Sequence, residues 1–474
     1  MELESHKTKI VATIGPACDT PEMLEQMICA GMNVARLNFS HGTFVEHKMR
    51  IARLRSAARA AGREIAVMAD LPGPKMRIGQ LAEEPIQLVP GGRFTLTTQD
   101  VVGDATGASM TFARLPLVVR PGDKLFLNDG IIQLEVEQVE GQEVHCRVMT
   151  GGELRSRKGL NLPGIDLGIS AFTDHDRECL EFAIREGVDA VSQSFVESAA
   201  DVQAVREAAR SFGREPYVIA KIERSGALEQ LEDILAAADG IMIARGDLGV
   251  EVPIERIAIL QKKLTRRALR HGKPVIVATQ MLESMTHSRQ PTRAEATDVA
   301  NAVLDGADAV MLSGESATGD YPVEAVAMLA KIAEATEPNR ARFDLWERLK
   351  TLPQHEVYSP ADLLSLSVEA IMAAEKPAAV IVPTRSGATA RAIARFRLPI
   401  WVVAPTDNLE VVRRLQFSFG ITPLHLEELP TDWSSFVRRW IREKGLAGKT
   451  ALLIEGPCGA DSVANHRMEI VQVK

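Results

Sequence analysis

Eight short apolar segments, each followed by polar residues and then by a helix-like stretch, constrain the fold of this chain most strongly. They cover residues 9–15, 33–39, 65–70, 189–195, 217–223, 240–246, 274–280 and 308–314. Near-continuous apolar strands are typical of parallel strands that are buried on both faces. Eight strand–helix units predict an α/β fold of the (β/α)8 TIM barrel type, in which polar side chains at the C-terminal ends of the strands form the active site.

The strand–helix repeat is interrupted once and is followed by a second, separate alternation. Between Pro72 and Pro163, short alternating runs are separated by Gly, Asp and Pro turns, which predicts an inserted small β-barrel domain. Beyond residue 355, a new alternation predicts a C-terminal α/β domain. The predicted boundaries are 1–71 and 163–345 for the two parts of the barrel, 72–162 for the insertion and 346–474 for the last domain.

Composition limits the classes of function. A chain of 474 residues is long enough for two or three domains. A net charge of −8 argues against a general nucleic-acid binder. No apolar run approaches a membrane helix, and the charged N-terminus lacks the apolar segment of a signal peptide. The five cysteines form no CxxC pair, which favours a reducing compartment. We therefore expect a cytoplasmic protein without nucleic-acid or membrane partners.

Two carboxylates end neighbouring strands of the predicted barrel. Glu223 ends the fifth strand and Asp247 ends the sixth, so both are expected on the same rim. Two oxygen ligands that leave room for substrate oxygens suit Mg²⁺ or Mn²⁺. The alternative is that each carboxylate only caps the helix that follows.

Lys221 lies two residues before Glu223 and therefore points to the same face of the strand. A lysine beside a metal-binding carboxylate can stabilise an enolate or a transferring phosphoryl group. A structural ion pair is the alternative. Gly246 would allow the backbone to approach a ligand closely.

Polar residues also cluster after strands two, seven and eight. Arg36, Asn38, Ser40 and His41 at the end of strand two suit phosphate recognition, although a single histidine there more often begins a helix. The hydroxyls of Thr279 and Ser313 could relay a proton through water to a carbanion, or cap helices instead. The chain has no Walker A motif, no GxSxG and no GxGxxG after a strand, which argues against serine hydrolases and dinucleotide enzymes.

Several long motifs resemble those of the pyruvate kinase family and occur in the family's order. They are ARLNFSHG (35–42), RKGLNLPG (157–164), KIERSG (221–226), ARGDLGVE (244–251), ATQMLESM (278–285) and PTRAEATDVANAVLDGADAVMLSGE (291–315). The insertion resembles the family's mobile lid domain, and the residues beyond 355 resemble its C-terminal domain. The resemblance implies transfer of a phosphoryl group from phosphoenolpyruvate to ADP, giving pyruvate and ATP in glycolysis.

The resemblance also implies a role for each matching residue in the barrel. Glu223 and Asp247 would hold Mg²⁺, and Lys221 would stabilise the transferring phosphoryl group and the enolate. Substrate contacts would come from the Arg36 guanidinium, the Gly246 and Asp247 amides and Thr279. Protonation of the enolate is assigned to Thr279 and Ser313 through water, with Glu315 orienting the two hydroxyls. The implied nucleotide site consists of Asn38, Phe39, Ser40, His41, Arg77 and Lys158.

The stretch after strand three departs from the potassium-dependent pattern Asp-Thr-Lys-Gly-Pro-Glu-Ile-Arg-Thr. Residues 70–78 read DLPGPKMRI, so Leu71 and Ile78 replace hydroxyls and Lys75 replaces the glutamate. A lysine beside Asp70 would supply the positive charge of K⁺. We therefore predict that potassium is not required; the alternative is an ordinary surface lysine. The predicted monovalent-cation pocket consists of Asn38, Ser40, Asp70, Leu71 and Lys75.

The C-terminal domain carries a loop that resembles the family's sugar-phosphate effector site. The stretch PTRSGATAR (383–391) combines a strand end, a hydroxyl-rich glycine loop and a helix start. The implied phosphate contacts are Thr384, Arg385, Ser386, Gly387 and Thr389. Residues 456–470 lack the glycine-rich segment of members that bind fructose 1,6-bisphosphate, which makes a monophosphorylated sugar or nucleotide at least as plausible. The family is usually tetrameric, so we expect a homotetramer.

Two other functions compete with this interpretation. One is a different Mg²⁺-dependent barrel enzyme that acts on pyruvate-like enolates, such as an aldolase or a phosphoenolpyruvate mutase, but such enzymes need no nucleotide lid. The other is a catalytically inactive sensor that retains only the effector loop. A sensor would have no use for Lys221, Glu223, Asp247 and Thr279 together.

Overall fold

A closed barrel of eight parallel strands forms the centre of the computed structural model, which describes residues 3–340, 360–456 and 466–473. This confirms the predicted TIM barrel. The first strand pairs with the eighth, Lys9 opposite Ala309, which closes the barrel. The strands span Lys9–Thr13, Val34–Asn38, Ala66–Leu71, Ala190–Gln193, Tyr217–Ile222, Gly240–Ala244, Val275–Ala278 and Ala309–Leu312.

The strands are buried on both faces, which explains why they read as continuous apolar runs. Side chains such as Val11, Met68 and Met242 fill the barrel interior. Alternate residues such as Ile10 and Val67 pack outward against the surrounding helices. The polar residues that follow each strand therefore lie together at one end of the barrel.

The helices around the barrel begin at the capping residues that the sequence indicates. Thr20 precedes the helix with Pro21 at its first position, and its hydroxyl accepts a hydrogen bond from the Met23 amide. Thr173 and Thr292 form capping boxes at their helices. The helices span Pro21–Cys29, Phe44–Ala60, Asp174–Arg185, Ala199–Ser211, Gly226–Glu229, Leu231–Ala237, Arg245–Glu251, Ile257–Arg270, Arg293–Asp305, Gly314–Ala317 and Pro322–Thr336, with 3₁₀ turns at Ile254–Arg256, Glu283–Thr286 and Glu337–Asn339.

The insertion has its own hydrophobic core, separate from that of the barrel. Its strands lie in a six-stranded and a two-stranded sheet around this core. They span Ile86–Leu88, Arg93–Thr97, Gly107–Ser109, Lys124–Leu127, Ile132–Glu140, Glu143–Thr150, Gly152–Leu154 and Leu160–Asn161, with a short helix at Leu115–Val118. The sequence indicated the four longest strands; the others have two or three residues, which is too short for an alternating pattern.

The C-terminal domain is a five-stranded sheet with helices. Its strands span Val380–Ile381, Val402–Thr406, Ile421–His425, Thr450–Glu455 and Arg467–Gln472, and its helices Pro360–Ala374, Ala388–Ala394, Leu409–Arg414 and Trp433–Glu443, with a 3₁₀ turn at Leu415–Phe417. The strand Ile421–His425 was not predicted, because Pro423 weakens the strand signal; it lies at the sheet edge, where proline is tolerated. The predicted boundary at 345/346 and most of the stretch 456–470 lie outside the described residues.

The C-terminal domain packs against the end of the barrel opposite the polar strand ends. Phe417 is completely buried within the side-chain cluster of the barrel interior. Its ring stacks on Tyr217, the first residue of strand five, with 5.6 Å between ring centroids. Arg397 donates a hydrogen bond of 2.9 Å to Asp308, just before strand eight. In the part of the chain that the structure describes, no helix is long and apolar enough to cross a membrane.

Candidate active site

A cavity of about 230 Å³ lies between the C-terminal ends of the barrel strands and the insertion. It brings together most of the residues that the sequence singled out. Its walls are formed by Arg36, Asn38, Ser40, Asp70, Pro72, Lys75, Arg77, Asp129, Gly159, Leu160, Asn161, Ser194, Phe195, Lys221, Glu223 and Asp247. A wider cleft of about 1160 Å³ shares Asp129 and Asp247 with this cavity and also contains Gly246.

Asp70, at the end of strand three, joins two of the cations that line the cavity, Arg36 and Lys221. Its carboxylate accepts hydrogen bonds from Arg36 Nε at 3.0 Å and from Ser192 Oγ at 2.6 Å, and lies 3.4 Å from Lys221 Nζ. Burial alone would raise the pKa of Asp70, but the charges of Lys221 and Arg36 outweigh it and hold that pKa well below its usual range. Asp70 is therefore a fixed anion that orients both cations.

Lys221 is buried and is held by three oxygen-bearing side chains. Besides Asp70, its ammonium contacts Glu223 Oε1 at 2.8 Å and Ser194 Oγ at 2.8 Å. Burial would lower the pKa of Lys221, but the charges of Asp70 and Glu223 outweigh that effect and raise it. The ammonium is therefore permanently charged and points into the cavity. The sequence reasoning missed Ser192 and Ser194, although their alternation at the end of strand four is the signal that could have revealed them.

Glu223 and Asp247, the predicted metal ligands, both line the cavity. Glu223 Oε2 accepts a hydrogen bond of 2.8 Å from the Phe195 amide, which fixes the carboxylate. Burial and the charge of Glu223 raise the pKa of Asp247 to about 6. Two carboxylates that repel each other in this way fit a divalent cation, which would relieve the repulsion. Among the described residues, no group of three or more His, Cys, Asp or Glu is arranged to hold a metal ion by itself.

Four of the five residues predicted to form a monovalent-cation pocket lie around the cavity. Asn38, Ser40, Asp70 and Lys75 line the cavity, whereas the Leu71 side chain is buried in the barrel core. Lys75 makes no ion pair with Asp70 within 4.0 Å; the described ion-pair partners of Asp70 are Arg36 and Lys221. Desolvation, then the charges of Arg77 and Lys221, lower the pKa of Lys75 to about 8, although the residue is exposed to solvent.

Thr279 has a left-handed backbone conformation with a φ of 70°, which is rare for a β-branched residue and typical of functional sites. Its Oγ1 accepts a hydrogen bond of 2.8 Å from the amide of Gly246, in the helix that follows strand six. Glu315, predicted to orient the two hydroxyls, accepts hydrogen bonds from the backbone amides of Leu282 at 3.0 Å and Ser313 at 2.7 Å. It therefore fixes the ends of strands seven and eight.

The predicted nucleotide residues are only partly brought together. Arg77 lines the cavity and donates to the Arg157 carbonyl at 2.9 Å, beside Lys158. Lys158 itself is not among the lining residues; its neighbour Gly159 is. His41 is exposed on the adjacent loop, and desolvation and the charge of Lys75 lower its pKa. Phe39 is buried and stacks on His47 instead of facing the cavity, with 4.5 Å between ring centroids.

The loop predicted to hold an effector phosphate is closed by its own hydroxyls. Thr384 Oγ1 accepts a hydrogen bond of 2.9 Å from the Gly387 amide, and Gly387 has a φ of 79° at the start of the helix Ala388–Ala394. Arg385 and Ser386 are exposed. Thr389 lies next to Gly456, the residue after the strand Thr450–Glu455.

A TIM barrel whose strand ends combine a buried ammonium, a guanidinium and two carboxylates, under an inserted domain, has the features of a phosphotransferase. A sequence profile of the pyruvate kinase barrel domain matches residues 5–326, and one of the pyruvate kinase alpha/beta domain matches residues 363–456. The chain therefore belongs to the pyruvate kinase family.

Individual relatives agree with this assignment. The chain is 45% identical to a pyruvate kinase of Thermococcus litoralis over 100% of both chains. It is 40% identical to pyruvate kinase 2 of Synechocystis, over 98% of this chain and 79% of the relative. The crystal structure of a pyruvate kinase from Cryptosporidium parvum has a TM-score of 0.91 and 34% identity, and covers 99% of this chain and 97% of that chain.

Proposed function

We propose that the protein transfers a phosphoryl group from phosphoenolpyruvate to ADP with Mg²⁺, giving pyruvate and ATP in glycolysis. The observation that carries this proposal is the permanently charged Lys221, which lies between Asp70 and Glu223 in the cavity. An ammonium in this position stabilises negative charge on the transferring phosphoryl group and on the enolate that it leaves. The family membership supports the same reaction.

In the proposed reaction, Arg36 and Lys221 bind the phosphoryl group from one side. A β-phosphate oxygen of ADP forms the new O–P bond while the bond between phosphorus and the enol oxygen breaks, and its electron pair stays on that oxygen. Glu223 and Asp247 would hold Mg²⁺, which neutralises charge on the substrate oxygens. The resulting enolate is then protonated at carbon through water, and Thr279 and Ser313 are the proposed hydroxyls for this step.

The carboxylate of the substrate is assigned to the Gly246 and Asp247 amides and Thr279. The Gly246 amide already donates to Thr279 Oγ1, so a substrate oxygen would compete for this donor. The proposed nucleotide-binding residues are Asn38, Ser40, His41, Arg77 and Lys158. The buried Phe39 would support the loop that carries Asn38, Ser40 and His41. In this proposal residues 72–162 are a lid, 1–71 and 163–345 form the catalytic barrel, and 346–474 form the effector and assembly domain.

We further propose that Lys75 supplies the positive charge that K⁺ provides in potassium-dependent relatives. Its position in the same cavity as Asn38, Ser40 and Asp70 supports this role. Because Lys75 forms no direct ion pair with Asp70, its charge would act through the cavity on the substrate anions. An ordinary solvent-facing lysine remains the alternative.

Regulation and assembly are proposals that rest on the family resemblance. A phosphorylated sugar or a nucleotide monophosphate would bind at Thr384, Arg385, Ser386, Gly387 and Thr389. We propose a cytoplasmic homotetramer in which the C-terminal domains transmit the effector signal.

The test is pyruvate formation from phosphoenolpyruvate and ADP with Mg²⁺, measured with potassium and with a bulky quaternary ammonium salt. Equal, high rates in both salts are expected. Activity only with potassium would retain the kinase and overturn the role of Lys75. An absence of pyruvate in both salts would overturn the kinase itself.

A further inference from the structure

The chain returns from the insertion to the barrel through residues 162–168, here called the return strap. Two glycines in it have left-handed backbone conformations, Gly164 with a φ of 70° and Gly168 with a φ of 60°. Between them, Ile165 and Leu167 pack against the core of the insertion. The strap is therefore packed as part of the insertion, so a contact between the strap and the barrel also joins the insertion to the barrel.

Arg224, the residue directly after Glu223, holds the strap from the barrel side. It is buried, with only 3% of its surface exposed. Its Nη2 donates a hydrogen bond of 2.8 Å to the Ile165 carbonyl. Its Nε lies 2.8 Å from Glu197 Oε1, after strand four. One planar guanidinium thus joins the strap to two loops of the barrel rim.

Arg224 also lies beside the helix that carries Asp247. Glu251, the last residue of the helix Arg245–Glu251, lies 3.6 Å from Arg224 Nε through Oε1. The other oxygen of Glu251 accepts a hydrogen bond of 3.2 Å from the Ser225 amide. Two carboxylates of the barrel, those of Glu197 and Glu251, thus lie beside the buried guanidinium that binds the strap carbonyl.

We propose that Arg224 is a positioning residue that anchors the return strap to the rim and so sets the insertion over the nucleotide site. Arg224 lines neither the cavity nor the wider cleft; it acts through the strap, which begins four residues after Lys158. The inference deepens the proposed function, because the predicted consequence for ADP rests on that function. The anchoring itself does not.

The first measurement is hydrogen exchange of the protein without substrates. Arg224→Met should accelerate exchange of the amides of the return strap, because the strap loses its contact with the barrel. The second is steady-state kinetics, in which the KM for ADP should rise about tenfold, as expected for the loss of a hydrogen bond from a charged donor. The KM for phosphoenolpyruvate should change by less than about twofold.

Arg114→Met is the matched control. Arg114 belongs to the insertion and donates through Nη1 to the Gly168 carbonyl, so it contacts the same strap without joining it to the barrel. This variant should leave the KM for ADP unchanged. Arg224→Lys is a second variant that keeps the buried positive charge but cannot bind Glu197 and the Ile165 carbonyl through one rigid fork. Arg224→Lys should show smaller increases in strap exchange and in the KM for ADP. It can replace Arg224→Met in the test if that variant fails to fold.

Unchanged strap exchange in a folded Arg224 variant would overturn the proposal. So would an equal rise of both KM values, because that pattern indicates a general disturbance of the site. If the wild type makes no pyruvate, the proposed function fails, and the exchange measurement still decides whether Arg224 anchors the strap.

Discussion

The ammonium of Lys221 lies 2.8 Å from Glu223 Oε1, so the proposed catalytic cation and a proposed metal ligand form one ion pair. Both come from strand five and its end, two positions apart, and Asp70 from strand three completes the group. Each of these charges is desolvated and depends on the others. Removing one member therefore changes the charge state of the rest.

Lys221→Met should lower kcat by about 10²–10³-fold, because it removes a preorganised charge from the transition state. The variant should bind ADP normally, so single-turnover pyruvate formation is the measurement. Lys273→Met is the control, since Lys273 lies just before strand seven, at the other end of the barrel, and donates to the Ala238 carbonyl at 2.6 Å. Nearly normal kcat in Lys221→Met would contradict the proposed role.

The effect of Lys75 should depend on pH. Its pKa in the folded protein is about 8, below the ordinary value of 10.5, so its charge is present below about pH 8 and is lost above it. The rate without potassium should therefore fall above pH 8, and potassium should restore it there while having no effect near pH 7. Lys75→Glu should need potassium at both pH values. Potassium stimulation of the wild type at pH 7 would contradict this prediction.

The charge of Lys75 should support activity below pH 8, but its lowered pKa means that the same charge decreases the stability of the folded protein there. Because the folded protein binds the Lys75 proton more weakly than the unfolded chain does, this group opposes folding below about pH 8. That penalty should diminish as the pH rises from 8 towards 10.5. Comparing urea unfolding of the wild type and Lys75→Met over this range checks the sign: the variant should be the more stable protein at pH 7, and the difference should shrink as the pH rises.

Metal binding should be sensitive to pH because of Asp247. Its pKa is about 6 without metal, so protons compete with a divalent cation below pH 6. The Mn²⁺ affinity of the metal-free protein, measured by calorimetry, should fall by up to about tenfold per pH unit there. Asp247→Asn should bind more weakly and lose most of this pH dependence. A chelator should abolish pyruvate formation, and Mg²⁺ should restore it; a pH-independent affinity of the wild type would contradict the assignment.

The parts of the site that the sequence could predict are those set by one strand and its end. Lys221 and Glu223 alternate along strand five, so their common face follows from strand geometry. Contacts between distant segments could not be predicted in this way. Ser192 donates a hydrogen bond to Asp70 because strands three and four are neighbours in the barrel. Glu315 accepts hydrogen bonds from backbone amides, and no pattern of side chains in the sequence indicates such contacts.

The repeated strand–helix units are enough to predict the barrel, but they do not predict which residues fill the barrel interior. Eight apolar segments with polar ends are enough to indicate the TIM barrel, since few other folds place so many parallel strands in one chain. The sequence gives no sign that the C-terminal domain contributes to that core. Phe417 lies in a 3₁₀ turn of three residues, far along the chain from the strands that it contacts. A contact between such distant segments produces no periodic pattern in the sequence, so it could not be predicted.

Phe417 should therefore contribute to the stability of the barrel although it belongs to another domain. Phe417→Ala should lower the free energy of unfolding by about 3–5 kcal/mol, because it leaves a cavity against Tyr217 at the closed end of the barrel. Phe417→Leu should cost less, since it retains apolar volume. Leu363→Ala in the same domain is the control, because Leu363 is 52% exposed and its loss should cost less than about 0.5 kcal/mol. Urea unfolding followed by tryptophan fluorescence and by far-UV circular dichroism measures both changes. If Phe417→Ala unfolds the C-terminal domain alone and leaves the barrel as stable as before, the ring fills space without supporting the barrel.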